Sequence, residues 1–175
     1  MDRLRVDTAL IDNFSNPEQA SNGQRWRFFS DRVMGGISSG EATHDRVDGR
    51  RALRLTGDVS LENNGGFIQV ALDLAGGDRL LDASAFAGVE LTLRGDGADY
   101  AVNLRSADLR YPWQSYRATV PGIASWTTHR LPFDSFLPHR TDRPLNPARL
   151  RRIGIIAIGE ARRVDVAIAE LRFFR

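Results

Sequence analysis

Hydrophobic and polar residues alternate with a period of two along most of the chain. In Val89-Glu90-Leu91-Thr92-Leu93-Arg94 the apolar side chains fall on one face, and Tyr100-Ala101-Val102-Asn103-Leu104-Arg105 and Tyr116-Arg117-Ala118-Thr119-Val120 repeat the pattern. Such alternation predicts strands with one face in a core and the other toward solvent or a ligand. Turns are marked by Gly95-Asp96-Gly97, Pro121-Gly122, Asn63-Asn64-Gly65-Gly66 and Gly76-Gly77-Asp78. Further strands are predicted over 26–29, 40–47, 52–59, 67–74, 126–131, 153–158 and 164–174. In the last of these Val164, Val166 and Ile168 share one phase while Leu171 and Phe173 take the other, which predicts a bulge near Ala169-Glu170. No segment keeps a helical period; residues 80–86 and 147–150 are expected to form a turn or two of helix at most. Many strands parted by Gly- and Pro-rich turns predict an all-β antiparallel sandwich of the jelly-roll kind.

Composition narrows this picture. A chain of 175 residues suits one domain over 1–175, with its core from about residue 11 onward. A hydrophobic share of 42% with 26% charged residues excludes wholesale disorder. Cysteine is absent, which excludes disulfides, thiolate nucleophiles and cysteine-based zinc sites. The loop over 133–150, with Pro138, Pro144 and Pro147, is expected to be long and partly rigid without dividing the domain. The net charge is only +2, yet the pI is about 9.6, because the 24 basic residues are all Arg. Arg alternates with acids, as in Arg46-Val47-Asp48-Gly49-Arg50-Arg51, and the densest run, Arg149-Leu150-Arg151-Arg152, is short. Nucleic acid is therefore not an expected partner. No apolar run approaches the roughly 20 residues of a membrane-spanning helix. The stretch Met1-Asp2-Arg3-Leu4-Arg5-Val6-Asp7 is too charged for a signal peptide, so a soluble cytoplasmic protein is expected.

Catalytic signatures are missing. His44, His129 and His139 stand alone without metal-ligand spacing, and there is no Gly-x-Ser-x-Gly elbow. Gly35-Gly36-Ile37-Ser38-Ser39-Gly40 has the glycines of a phosphate loop but no Lys, and leads into a strand. Asp31 and Glu62 lie in neighbouring motifs and could meet as an acid-base pair, which would need one carboxyl raised by burial. The preferred reading is simpler: a carboxylate that accepts bonds from glycine-loop amides and holds their shape. No catalytic residue and no cofactor is expected. The glycine pairs permit φ > 0 and close backbone approach, which suits a tight structural crossing first and a ligand contact second.

The order of these motifs resembles the complex I intermediate-associated protein 30 family. The resemblance rests on Trp26 followed by Asp31-Arg32-Val33-Met34-Gly35-Gly36-Ile37-Ser38, then Glu62-Asn63-Asn64-Gly65-Gly66-Phe67. Arg94-Gly95-Asp96-Gly97 with Tyr100, Trp126 leading to Leu131-Pro132-Phe133 and Phe136, Ile153-Gly154, and Ile168-Ala169-Glu170-Leu171 continue it. It implies a galactose-binding-like β-sandwich without established catalytic residues, in which these signature residues shape the fold. Mitochondrial members act as assembly factors for respiratory complex I. The Arg-based composition and the lack of a presequence suit a bacterial member. Related sandwiches often carry calcium near the chain termini, where Asp12 and Glu170 offer hard oxygens; with no contiguous calcium loop, no metal is expected.

Two functions follow as expectations. The first is a protein-interaction module assisting assembly of a respiratory or other membrane complex, binding through Arg105, Arg110, Tyr111, Trp113, Gln114 and Tyr116, since aromatics and Arg dominate hot spots. Trp113 and Tyr116 could equally cap the core. The alternative is a carbohydrate-binding module that lines the concave sheet face with Asn103, Arg105, Gln114 and Arg117 beside Tyr111 and Trp113.

Overall fold

In a computed structural model describing residues 3–5 and 9–175, with side chains from residue 9 onward, the alternating segments pair into two sheets. The charged N-terminal stretch lies outside the described residues apart from the backbone of a short strand. In chain order the strands are β1 (Arg3–Arg5), β2 (Leu10–Asp12), β3 (Arg27–Ser30), β4 (Ser39–Val47), β5 (Arg50–Val59), β6 (Phe67–Asp73) and β7 (Leu80–Asp82). They continue as β8 (Gly88–Arg94), β9 (Asp99–Ser106), β10 (Ser115–Pro121), β11 (Thr127–Pro132), β12 (Leu137–His139), β13 (Leu150–Ile158) and β14 (Arg162–Phe174). The first sheet runs β3-β6-β13-β9-β10-β12, with β7 pairing β13 at Leu81↔Leu150 and β1 beside β7. The second runs β11-β8-β14-β5-β4, with β2 against the far end of β14. Every pairing is antiparallel except β1 with β7, so the chain is an antiparallel β-sandwich.

The period-two pattern decides which face goes inside. Tyr100, Val102 and Leu104 of β9 meet Ile153, Ile155 and Ala157 of β13 and Tyr116, Ala118 and Val120 of β10 in one buried cluster. From the second sheet Leu53 and Leu55, Val89, Leu91 and Leu93, and Val164, Val166 and Ile168 face them. The change of phase in β14 is a register shift between Ile168 and Glu170 against β8, which turns Leu171 and Phe173 inward. Two outcomes depart from expectation. Residues 80–82 form a strand rather than a helical turn, because beside β13 Leu80 and Leu81 are both buried. The proline-rich loop contains β12, an edge strand that tolerates Pro138 because its outer side needs no donor. Among the described residues the helical elements are short 3₁₀ turns, and no helix is long and apolar enough to cross a membrane.

The outer faces differ in charge. On the second sheet arginines meet acids: Arg54 with Asp165, Arg94 with Asp48, Arg130 with Glu90, Arg163 with Asp58, and Arg50 and Arg172 with Glu170. Trp126 also lies across this face, packing on Val47, Ala52 and Ala167 and donating its indole N–H to the Val47 carbonyl. On the first sheet Asp73 is shared by Arg27 and Arg152, while Arg105 and Arg117 have no carboxylate partner among the described residues.

Candidate functional site

Asp31 ties the two glycine loops together. It opens a 3₁₀ turn, Asp31–Met34, whose N-cap is Ser30 and whose C-cap is Gly35 in the left-handed region. Its carboxylate is wholly buried and accepts from Ser38 N–H at 2.9 Å, the Ser38 hydroxyl, Gly66 N–H at 2.6 Å and Phe67 N–H at 3.2 Å. A Cβ on Gly36 or on Gly65 would overlap the Asp31 side chain, so both positions require glycine. Asn63 and Asn64 both adopt positive φ, which Asn tolerates better than other side chains. Burial acts to raise the Asp31 carboxyl; the Ser38 hydroxyl and the Gly66, Ser38 and Phe67 amides outweigh it and hold it below the usual carboxylate range. Glu62 is exposed on the outer loop, and no bond from its carboxylate joins Asp31 among the described residues. The acid-base pairing considered from sequence is therefore not assembled.

The clasped loops present apolar side chains outward. Val33 is 73% exposed and Met34 61%, with Ile37 and Leu61 also exposed. Leu61 lies over Gly66, and Gly66 accepts from Gly159 beside the exposed Ile158, so these residues gather at one end of the sandwich. Val33, Ile37 and Leu61 carry no signal of this exposure in the sequence, where they stand as apolar residues within or beside the glycine motifs.

Trp26 and Asp12 form a separate staple. Asp12 is buried and accepts from the Phe14 and Ser21 amides and, at 2.8 Å, from the Trp26 indole, which stacks on Phe14. Glu170 faces Arg50 and Arg172. The carboxylates suggested for calcium are thus already engaged, and among the described residues no group of three or more His, Asp or Glu could hold a metal.

The β9–β10 loop carries the expected binding residues, and the structure divides them. Tyr111 and Trp113 stack face to face, with centroids 4.7 Å apart and planes within 4°, and Trp113 is 54% exposed. Arg110 is exposed beside them. Gln114 accepts from the Arg110 and Tyr111 amides and donates to the Arg140 carbonyl, while Arg105 donates to the carbonyls of Tyr111, Pro112 and Gln114. Both polar side chains hold the loop in shape rather than facing outward. Tyr116 corrects the expectation outright: it is fully buried in the core, with its hydroxyl donating to the Pro144 carbonyl. Period two puts it on the inner face of β10, opposite Leu104. Asn103 and Arg117, by contrast, sit side by side on the outer face.

Residues 13–167 match the family described as Complex I intermediate-associated protein 30 (CIA30). The chain belongs to the CIA30 family. No curated protein sequence matches it. Among solved structures the CIA30 chain is similar to the family 11 carbohydrate-binding module of the cellulosomal cellulase Lic26A-Cel5E of Clostridium thermocellum. That likeness has a TM-score of 0.73 at 12% identity, covering 97% of this chain and 95% of that one. A Clostridium thermocellum family 11 module in complex with a beta-1,3-1,4-mixed-linked tetrasaccharide gives 0.70 at 13%, covering 95% and 94%. A family 30 carbohydrate-binding module gives 0.67 at 14%, covering 97% and 87%. At these identities the likeness is one of fold: the CIA30 chain is a jelly-roll β-sandwich.

Proposed function

We propose that this chain is a non-catalytic protein-binding module that assists assembly of a respiratory or other membrane complex. The observation that carries this reading is the apolar end built by the family's own signature loops. Val33, Met34, Ile37 and Leu61 stand in solvent on a backbone fixed by the buried Asp31, a combination that suits docking against an apolar segment. Membership of the CIA30 family supports the class of partner, subunits of complex I or of another membrane complex. A photo-crosslinker placed at position 33 or 37 should capture such subunits in cells, and Met34→Asp should abolish capture without altering the fold. Unchanged capture by Met34→Asp, or normal assembly of complex I and of any other complex whose subunits are captured in a strain lacking the protein, would sink the reading.

A second reading, carbohydrate binding on the outer face of the first sheet, is favoured by the exposed and pre-formed Tyr111–Trp113 pair. Flat apolar rings held rigid lose little entropy on binding a sugar face. A glycan array and calorimetry with soluble glucans and acidic glycans, if all silent, would remove it.

A further inference from the structure

A row of outward residues crosses the first sheet through β3, β6, β13, β9, β10 and β12: Arg27, Ala71, Gly154, Asn103, Arg117 and Leu137. Its middle is small and covered: Ala71 and Gly154 are buried, and the Gln69 side-chain oxygen lies over Gly154. Toward β3 a single carboxylate, Asp73, is shared by Arg27 and Arg152. Toward β10 no carboxylate pairs with Arg117 among the described residues.

Around Arg117 three buried side-chain atoms have no hydrogen-bond partner among the described residues: Asn103 Oδ1, Ser115 Oγ and Arg117 Nε. Asn103 is 9% exposed and Ser115 5%, and alternation turns both away from the core occupied by Val102, Leu104 and Tyr116. Asn103 and Arg117 are directly opposed across β9 and β10. Their Cβ atoms are therefore about 5 Å apart, with Ser115 on the diagonal at about 7–8 Å. Buried polar groups are almost always satisfied, so three at neighbouring positions call for partners from outside the chain. Burial first, and Arg140 second, pull the Arg117 guanidinium below its usual range, as happens to a cation without a counter-ion.

The three groups ask for complementary chemistry. Arg117 Nε–H bonds an anionic acceptor most strongly, Asn103 Oδ1 requires a donor, and the Ser115 hydroxyl can act as either. We propose that this polar cluster on β9 and β10 binds a hydroxyl-bearing sugar anion, its carboxylate or phosphate on Arg117 and its hydroxyl on Asn103. The inference rests on the carbohydrate reading and narrows it to acidic sugars. Ser115 stands at the base of the loop that carries Tyr111 and Trp113, which offer a stacking surface to a neighbouring ring. An acidic peptide fits less well, because the cluster lies on the face of the sheet, inside the β12 edge where main chain could pair.

The test is calorimetry on the full chain with a galacturonic acid trisaccharide, its neutral galactose counterpart, glucose 6-phosphate, inorganic phosphate and a glutamate-rich peptide. One of the two sugar anions should bind at least about tenfold more tightly than the neutral sugar, and the tighter one identifies the source. Arg117→Met should erase that preference while raising the thermal midpoint, since an unpartnered buried donor is gone. Asn103→Asp should also abolish anion binding by repulsion, with the fold retained. Equal binding of the neutral sugar would overturn the inference and leave the carbohydrate reading standing. Silence toward every sugar would remove both. Phosphate or the peptide binding as tightly as the sugar anions, or a preference that survives Arg117→Met, would likewise overturn the inference.

Discussion

Asp31 shows how a single side chain can make a sequence signature necessary. Its two oxygens serve donors from both glycine loops, and the glycines at 36 and 65 exist to let it in. Gly35 and Gly36 therefore should not respond alike. Gly35 has φ +89 with open space around its missing Cβ, so Gly35→Ala should cost about 1–2 kcal/mol of left-handed strain. Gly36→Ala would drive a methyl into a buried carboxylate and should cost at least about 3 kcal/mol, comparable to Asp31→Ala, which orphans several buried donors at about 1–3 kcal/mol each. Urea unfolding of the three variants checks the order. Because the folded carboxyl is held low, its contribution is complete above the unfolded value of about 3.9 and is lost as pH falls through the folded one. The wild type should thus lose stability below about pH 4, and Asp31→Asn should start lower but show a flatter acid slope.

At the scale of elements, the β9–β10 loop is ordered by side chains instead of by a turn sequence. Gln114 closes it from within and ties it to Arg140, while Arg105 gathers three of its carbonyls. Gln114→Ala should therefore cost only about 1–2 kcal/mol globally, yet it should unstack Tyr111 from Trp113. Tryptophan fluorescence and near-UV circular dichroism would report that change, and an unchanged spectrum would show the stack to be independent of Gln114. This loop also marks the limit of what the sequence discloses. Strands such as β8, β9 and β10 are legible from alternation alone, and so is the bulge in β14, because burial of one face enforces the period. Short strands such as β7 and β12 are not legible, since three residues carry no period and their pairing comes from a distant strand. Site residues follow the same division. Tyr116 belongs to the core by its phase with Ala118 and Val120, a signal present in the sequence but overridden by the density of aromatics around it. The opposition of Asn103 to Arg117 depends on register between strands, which no single strand reveals.

For the whole molecule, the choice of Arg for every cation sets the alkaline limit. Guanidinium holds its proton more tightly than an ammonium group, and the chain has no lysine to lose its charge as pH rises. Tyrosine is what can fail first. Tyr100 is buried on β9, and its hydroxyl donates to Asp96 at 2.8 Å and approaches the Asp165 carbonyl on β14, so it joins the two sheets. Arg162 lies over its ring and donates to its oxygen. Burial pushes Tyr100 up to about 12 despite the Arg162 hydrogen bond, with Asp96 adding to the rise. Tyr116 moves the same way, chiefly through burial. For a group raised on folding, the stabilisation is complete below the unfolded value of about 10 and is lost as pH climbs through the folded one. Stability should then change little from neutral pH to about pH 10 and fall steeply between about 10 and 12. Tyr100→Phe should lower the plateau by about 1 kcal/mol, through the lost hydroxyl bonds, and reduce the alkaline slope without abolishing it, because Tyr116 remains. Denaturant unfolding across this range, with tyrosinate absorbance followed in parallel, decides the matter. A slope identical in wild type and Tyr100→Phe would mean that the sheets are held together at this end by packing alone.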